Sequence, residues 1–495
     1  MKFAIDTNIL LPLEVASISA PSTHDPEALE LNRIVQESGN HIVVHPAILI
    51  DLARDPDVAR RERHTYLLNK YPKIVDPPPV TPAHEAHLGV AQANSNDWVD
   101  NLLLVAVERH AVDYLVTQDQ KMHRKASRLG IADRVLTITD ALATLRTLFD
   151  TSPIPPPAVR RVQLYNVDER DPIFDSFRGD YPGFDAWLRA SKKRVRRTWT
   201  ISGPNGRLAA ICIVKKEGED IPDGIGGRVL KICTFKVADQ YAGFRFGELL
   251  LKTVFAYARD NKFDWAFVTV FERHELLTRL LYEFGFANHQ GRSPLGELVL
   301  VKPLRPGLGE PPSGPLAYAV RYGPCHLAWD DSEAWVVPIQ PRFDAVLFPD
   351  LQNQVHLFPG STPFGNSIRK AYLCRSSVRQ IKPGDVLAFY RSQTTKAITV
   401  LGVVEDSLVS DAAIALGSFV AKRTVYSMRD ITDLCTDAGG RPRTVLAIKF
   451  RQVLRSFEHV PLHELKQNGL LKSAPQSITR IPREAIGWIQ KRTEG

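Results

Sequence analysis

Five aspartates recur along the N-terminal third of the chain, where short apolar runs give way to helices. Asp6 closes the strand-like run Lys2–Asp6, and Asp51 lies on the helical run after His41–Val44. Asp97 and Asp100 open the amphipathic stretch Asp97–Ala111, and Asp119 follows Asp113–Val116 in Val116-Thr117-Gln118-Asp119. In open α/β sheets the carboxyl ends of the strands form the site crevice. Carboxylates converging there repel one another unless a divalent cation neutralises them, and an all-oxygen set favours Mg2+ or Mn2+. Such an ion activates water and stabilises a leaving oxygen, the chemistry of phosphodiester hydrolysis. The structural alternatives are helix caps at Asp97 and Asp119, a surface Asp51 and a turn at Asp6. Caps need not recur at successive strand ends, which favours a site.

A second candidate lies mid-chain. The apolar, β-rich run Arg228–Val237 leads into the turn Gln240-Tyr241-Ala242-Gly243-Phe244-Arg245-Phe246-Gly247, and then into a run with Leu249, Leu250, Val254, Phe255 and Ala258 at helical spacing. A strand feeding a Gly-bearing turn and a helix N-terminus presents backbone N–H groups to an anion, typically a pyrophosphate. Val237, Gly243, Arg245, Phe246 and Gly247 are the candidate cofactor contacts. The plain alternative is an ordinary turn with a glycine for positive φ. A second strand, Asp264–Phe271, and a second helix, Leu276–Phe284, follow and end at Gly285-Phe286.

Both stretches resemble known families. Ile5-Asp6-Thr7-Asn8, Asp100-Asn101-Leu102-Leu103-Leu104 and Val116-Thr117-Gln118-Asp119 resemble the motifs of PIN-domain nucleases, which include ribonuclease toxins of toxin–antitoxin pairs. The resemblance implies an α/β domain with a parallel sheet. Asp6, Asp51, Asp100 and Asp119 would be its catalytic and metal-binding residues, and Asp97 an extra ligand. Asp51 stands where the family usually has Glu, one methylene longer. The mid-chain order, closed by Leu281-Tyr282-Glu283-Phe284-Gly285-Phe286, resembles the GNAT family of acyl-CoA N-acetyltransferases. That implies a central α+β domain binding acetyl-CoA, with Tyr282 protonating the departing thiolate. The family turn reads Gln/Arg-x-x-Gly-x-Gly/Ala; here Arg245 fills a position that is small in the family, in either register.

The elements that would position these groups follow from pattern. Residues 1–150 alternate short strands and helices, as a parallel sheet requires. The proline run in Thr151-Ser152-Pro153-Ile154-Pro155-Pro156-Pro157 is an extended spacer, and Pro303–Pro315 is a second joint. We therefore expect three domains, 1–150, 158–305 and 316–495. In the last, Leu316–Arg321, Ala334–Pro338, Asp385–Tyr390, Ile398–Val404 and Val445–Phe450 have strand composition. Lys382-Pro383-Gly384-Asp385-Val386-Leu387-Ala388-Phe389-Tyr390, followed by Leu401-Gly402-Val403-Val404-Glu405, resembles the PUA-like class of PUA, ASCH and EVE domains. That implies a mainly β barrel of the kind found on RNA-acting proteins. Arg391, Lys422, Arg423, Arg441, Arg443 and Lys449 would be its phosphate contacts.

Charge and cysteine usage bound the partners. Net charge is +8, but residues 1–150 hold 15 Lys+Arg against 20 Asp+Glu, leaving the remainder near +13. The strongest basic run is Lys192-Lys193-Arg194-Val195-Arg196-Arg197, at the end of a helical stretch. A polyanion such as tRNA or another structured RNA suits this half. An exposed helix end with cations favouring its dipole fits the run equally well. No apolar run reaches the ~18 residues of a membrane span, and Asp6 interrupts any signal-like start. Five scattered cysteines carry no metal motif and suggest reduced thiols in a cytoplasm. The expected function is an RNA-directed protein combining a Mg2+/Mn2+ ribonuclease with an acetyl-CoA-binding domain. The toxin resemblance admits an antitoxin partner. An N-acetyltransferase of RNA or protein with an inert PIN-like module, and a non-catalytic RNA-binding scaffold, remain open. Glu272, His274 and Glu275 are equally placed as a base for the acceptor amine.

Overall fold

The computed structural model describes all residues except 10–25, 55, 69–70, 150–158, 195, 204–205, 242–243, 331, 350–366, 394, 421–422, 438, 456 and 495. The chain is a mixed α/β protein in two compact units. Met1–Thr151 with Ser410–Thr444 forms one, and Ser152–Val409 with Val445–Gly495 the other.

The first unit holds a four-stranded parallel sheet in the order β2-β1-β3-β4, from Lys2–Ile5 (β1), His41–Val43 (β2), Tyr114–Val116 (β3) and Val135–Leu136 (β4). Phe3 pairs with Ile42 on one side and Tyr114 on the other, and Leu115 pairs with Val135. The strands are short, apolar and almost wholly buried, as expected where helices cover both faces. Helix Asn96–Glu108 buries Val99, Leu103, Leu104 and Val107, and helix Ile138–Phe149 buries Leu142, Leu145 and Leu148.

Sequence order hides one part of this unit. The helices Ala413–Val420 and Met428–Cys435 pack on it, although they lie far along the chain. The Tyr114 hydroxyl donates to the Gly417 carbonyl at 3.1 Å, and Ser418 Oγ donates to Asp113 Oδ1 at 3.0 Å. Arg423, almost fully buried, pairs with Asp133 at 3.0 Å. Asp113 and Asp133 precede β3 and β4, so this segment sits at the amino ends of the strands, away from Asp6 and Thr117 at their carboxyl ends. Arg423 and Asp133 thus form an ion pair inside this unit, which removes Arg423 from the expected phosphate contacts. Lys422 lies outside the described residues.

The second unit contains two sheets. One runs β10-β11-β9-β8-β7-β6-β5, built from Val159–Gln163 (β5), Arg197–Ser202 (β6), Leu208–Glu217 (β7), Val229–Val237 (β8), Trp265–Val270 (β9), Ala287–Arg292 (β10) and Leu298–Pro303 (β11). Every neighbouring pair is antiparallel except β8 and β9. Helix Phe246–Asp260 lays Leu250, Leu251, Val254, Phe255 and Ala258 on one face of this sheet. The opposite face packs Ile211 and Ile213 against Phe174, Phe184 and Leu188. Helix Glu275–Glu283 ends at Gly285, whose φ of +80° and contact with the Val320 carbonyl leave no room for a Cβ.

The other sheet runs β13-β16-β15-β14-β12-β18, with β17 beside β15. Its strands are Ala334–Ile339 (β12), Arg369–Cys374 (β13), Val386–Arg391 (β14), Ala397–Ser410 (β15), Val445–Gln452 (β16), Val460–Pro461 (β17) and Thr479–Arg480 (β18). Among the described residues the expected mainly β barrel is not seen to close. β12 and β14 are parallel, and among the described residues no pairing closes β13 onto β18. Leu316–Arg321, expected as strand, lies in the helix Pro315–Arg321. Gly314-Pro315 starts it, because proline at the first helical position forfeits only an N–H the helix leaves unused.

The Arg423–Asp133 pair tests the membership of the distal segment. Arg423→Ala should cost the first unit about 2 kcal/mol, because it removes a nearly buried side chain together with its ion pair to Asp133. Hydrogen exchange at Leu115 and Val116 should accelerate while the amides of β7 stay unchanged. Unaltered exchange in β3 would contradict this role.

Candidate functional sites

At the carboxyl ends of the parallel strands, Asp6 is nearly buried and tightly held. It accepts from Thr117 Oγ1 and Asn8 Nδ2 at 2.7 Å on one oxygen, and from the Thr7 amide at 2.7 Å on the other. The Asn8 side chain also accepts from the Gln118 amide at 3.2 Å, so it stitches the two motifs together. Burial raises the Asp6 carboxyl above its ordinary range, with the charges of Asp51 and Asp119 adding to the effect. Asp100 is pushed up to about 7, first by burial and then by Asp6, Asp119 and Asp97, against the pull of Lys125. Asp6, Asp51, Asp97, Asp100 and Asp119 therefore share one electrostatic neighbourhood.

Like Asp6, three of the other four are engaged. Asp97 lies 2.5 Å from Lys121 and 2.8 Å from Lys125, and these lysines hold its carboxyl low. Asp51 pairs with Arg54 at 2.9 Å and accepts from Thr7 Oγ1 at 3.4 Å. Asp119 caps helix Gln120–Arg128 by accepting from the Lys121 and Met122 amides. Among the described residues no group of three or more carboxylate, imidazole or thiol side chains is gathered as metal ligands. The oxygen-only residue types suit Mg2+ or Mn2+, but with Asp97 held by two lysines, Asp51 by an arginine and Asp119 at a helix start, the arrangement is not a preassembled ion site.

The second candidate site is formed by a parting of strands. β8 and β9 pair at Val229↔Trp265, Leu230↔Ala266, Lys231↔Phe267 and Ile232↔Val268, and no further. Beyond Ile232, β8 stays paired only with β7, through Val237. Its other backbone edge from Cys233 to Val237 has no strand partner among the described residues. Unpaired backbone groups inside a fold call for an occupant, be it water or ligand. Thr234 is buried and its hydroxyl finds no partner among the described residues.

Just past this edge the chain enters helix Phe246–Asp260. Gly243 lies outside the described residues. Arg245 adopts the left-handed conformation, φ 60° and ψ 22°, at the helix start, and Phe246 is buried. Gly247 packs where a Cβ would meet Leu280 at 3.1 Å and Phe235 at 3.7 Å. Glu248, which sequence reading passed over, is buried in the first turn. It accepts from Ser367 Oγ at 2.6 Å and the Ile368 amide at 2.9 Å, and it lies 3.9 Å from Arg245 Nη1. Tyr282 is 43% exposed on helix Glu275–Glu283. Its hydroxyl is raised by burial and then by the nearby Glu272 charge.

Across the carboxyl end of β9 sit Tyr181, Glu297 and Asp180, which sequence reading did not select, beside His274, which it did. The Tyr181 hydroxyl donates to the buried Glu297 at 2.6 Å, and its ring lies 5.3 Å from that of Phe271. Asp180 contacts His274 and Arg273. Only the three-dimensional pairing identifies them, since Asp180 and His274 are 94 residues apart.

No family model matches the sequence, and no curated protein matches it. Solved structures do align with parts of the chain. The ASCH protein of Zymomonas mobilis is 15% identical over 32% of this chain and 95% of its own, with a TM-score of 0.25. The PaiA N-acetyltransferase of Thermoplasma acidophilum, solved with coenzyme A, is 12% identical over 30% and 99%, with a TM-score of 0.24. The IAA acetyltransferase of Bacillus cereus is 11% identical over 30% and 100%, also at 0.24. At these scores the likeness adds no weight to the geometry. Among the described residues no helix is long and apolar enough to cross a membrane.

The raised Asp100 carboxyl gives a pH prediction. An acid whose folded pKa lies above its unfolded value stabilises the fold at low pH and loses that contribution as pH rises, here from about 4 to about 7. Asp100→Asn should therefore stabilise the first unit at pH 8 relative to pH 4.5. The gain should be no more than about 2 kcal/mol once solvent screening is allowed for. Urea midpoints at the two pH values measure it, and an equal effect at both would contradict the assignment.

Proposed function

We propose that the second unit is an acyl-CoA-dependent N-acyltransferase of GNAT type. One observation carries the reading: β8 leaves β9 after Ile232↔Val268 and exposes a five-residue backbone edge beside a helix start. An extended ligand rich in amides can complete such an edge as an added strand would. The pantetheine arm of acetyl-CoA has that chemistry, and the first amides of helix Phe246–Asp260 suit its phosphates. Val237, Gly243, Arg245, Phe246 and Gly247 would line this path. Acetyl-CoA supplies an acetyl group on a thiolate leaving group. Tyr282 then acts as the acid that returns a proton to sulfur, and its raised hydroxyl keeps that proton until the thiolate forms.

A second reading concerns the first unit. The closeness of Asp6, Asp100 and Asp119 favours a PIN-like nuclease crevice, in which Asp51, Asp97 and Asp119 would have to leave their present partners before a divalent cation could bind. The basic surplus beyond residue 150 suits RNA as a common partner. Cleavage of single-stranded RNA in Mn2+, lost in Asp6→Asn, would support this reading. Cleavage that persists in the variant would end it.

For the acyltransferase, calorimetry should show one acetyl-CoA site per chain. Tyr282→Phe should keep that affinity within about threefold and lower CoA release to hydroxylamine about 100-fold. Absence of acetyl-CoA binding by the intact protein would contradict the proposal.

A further inference from the structure

The amine that receives the acyl group must lose a proton before its lone pair can attack. By sequence alone, Glu272, His274 and Glu275 are equally placed to take that proton. Two of them separate in the fold. Glu272 is 73% exposed and paired with Arg292 at 2.9 Å. His274 holds a fixed place at the carboxyl end of β9. Its amide donates to the Phe271 carbonyl at 2.9 Å, and its carbonyl accepts from the Thr278 amide at 3.0 Å and from Thr278 Oγ1 at 3.1 Å. Its Nε2 lies 2.8 Å from Asp180 Oδ2, while the side chain stays 39% exposed.

Asp180 is itself well placed. Burial opposes its charge, but the hydrogen bonds from Arg273 and His274 prevail and hold its carboxyl low. A carboxylate facing Nε2 assigns the N–H to that nitrogen and leaves Nδ1 with its lone pair. The surroundings complete the setting. The Phe271 ring lies 6.4 Å from the imidazole, and Arg273 stacks on Phe271 at 4.2 Å. Tyr181, the residue after Asp180, reaches across to Glu297. Glu272, two residues before His274, is close enough for its charge to act on Tyr282, the proposed acid.

We propose that His274 is the proton acceptor for the incoming amine and that Asp180 is the positioning residue that sets its tautomer; this rests on the acyltransferase reading above. His274 Nδ1 takes a proton from the substrate ammonium. The freed nitrogen pair forms the C–N bond to the acetyl carbon while the C–S bond breaks. The sulfur takes the Tyr282 proton, the newly acylated nitrogen gives its excess proton to the tyrosinate, and the imidazolium releases its proton to solvent. The acceptor class is therefore a primary amine that is cationic in solution.

Two small acceptors test this with the full chain. n-Butylamine is an ammonium ion at neutral pH and needs a base, whereas hydroxylamine is largely neutral there and does not. His274→Gln should lower CoA release to n-butylamine about 100-fold and leave the hydroxylamine rate within about twofold, which also shows that the variant is folded. Asp180→Asn should shift the ratio in the same direction by a smaller factor. Equal losses with both acceptors, or no loss with either, would overturn the proposal. So would wild-type turnover of hydroxylamine with none of n-butylamine. Failure of the wild type to bind acetyl-CoA or to turn over hydroxylamine would instead sink the acyltransferase reading itself.

Discussion

The constraint behind the second unit is that two parallel strands pair for four residues and then separate. Neighbouring antiparallel strands hold β8 and β9 from both sides, so the gap is fixed by the sheet and not by a loop. Backbone groups along such an edge cannot be left dry without cost. The proposed site is therefore built from main chain first. His274 and Tyr282 lie on the segment that leaves β9, and Asp180 reaches His274 from the helix Asp175–Asp180.

The helix start beside the gap is tied to the sheet of β12–β18 by charge. Glu248 accepts from the 367–369 segment, and Arg369 on β13 reaches Glu283 at 2.8 Å and Glu405 at 2.9 Å. Arg451 on β16, lowered to about 9 mainly by burial, lies 2.7 Å from Glu405. Glu283 follows Tyr282 directly. Buried ion pairs add little net stability but penalise any arrangement that separates them. This network therefore fixes Tyr282 and the first turn of helix Phe246–Asp260 relative to β13 and β16, all within one compact unit.

Much of this was legible in the sequence. Short apolar runs marked out β1–β3, β8, β9 and the two helices after β8, because period and turn chemistry agree there. Asp6 and Asp119 stand out by their places after strand-like runs, and Asp100 by its place near the start of a helical stretch. Two kinds of feature stayed hidden. Long-range pairings such as Asp180 with His274, Glu248 with Ser367 and Arg423 with Asp133 leave no local pattern. Neither does the assignment of Ser410–Thr444 to the N-terminal unit, since a segment between two strands of one sheet is expected to stay beside them. Leu316–Arg321 misleads for a simpler reason: a short apolar run is strand or helix by composition alone, and Gly314-Pro315 decides it.

The central claim is that the free edge of β8 receives an acyl-CoA, and amide exchange reads that edge directly. With acetyl-CoA added, the amides of Cys233–Val237 that face away from β7 should exchange markedly more slowly, as should those opening helix Phe246–Asp260, while β12 and β14 stay as they were. Binding that leaves the Cys233–Val237 amides unchanged would contradict the account.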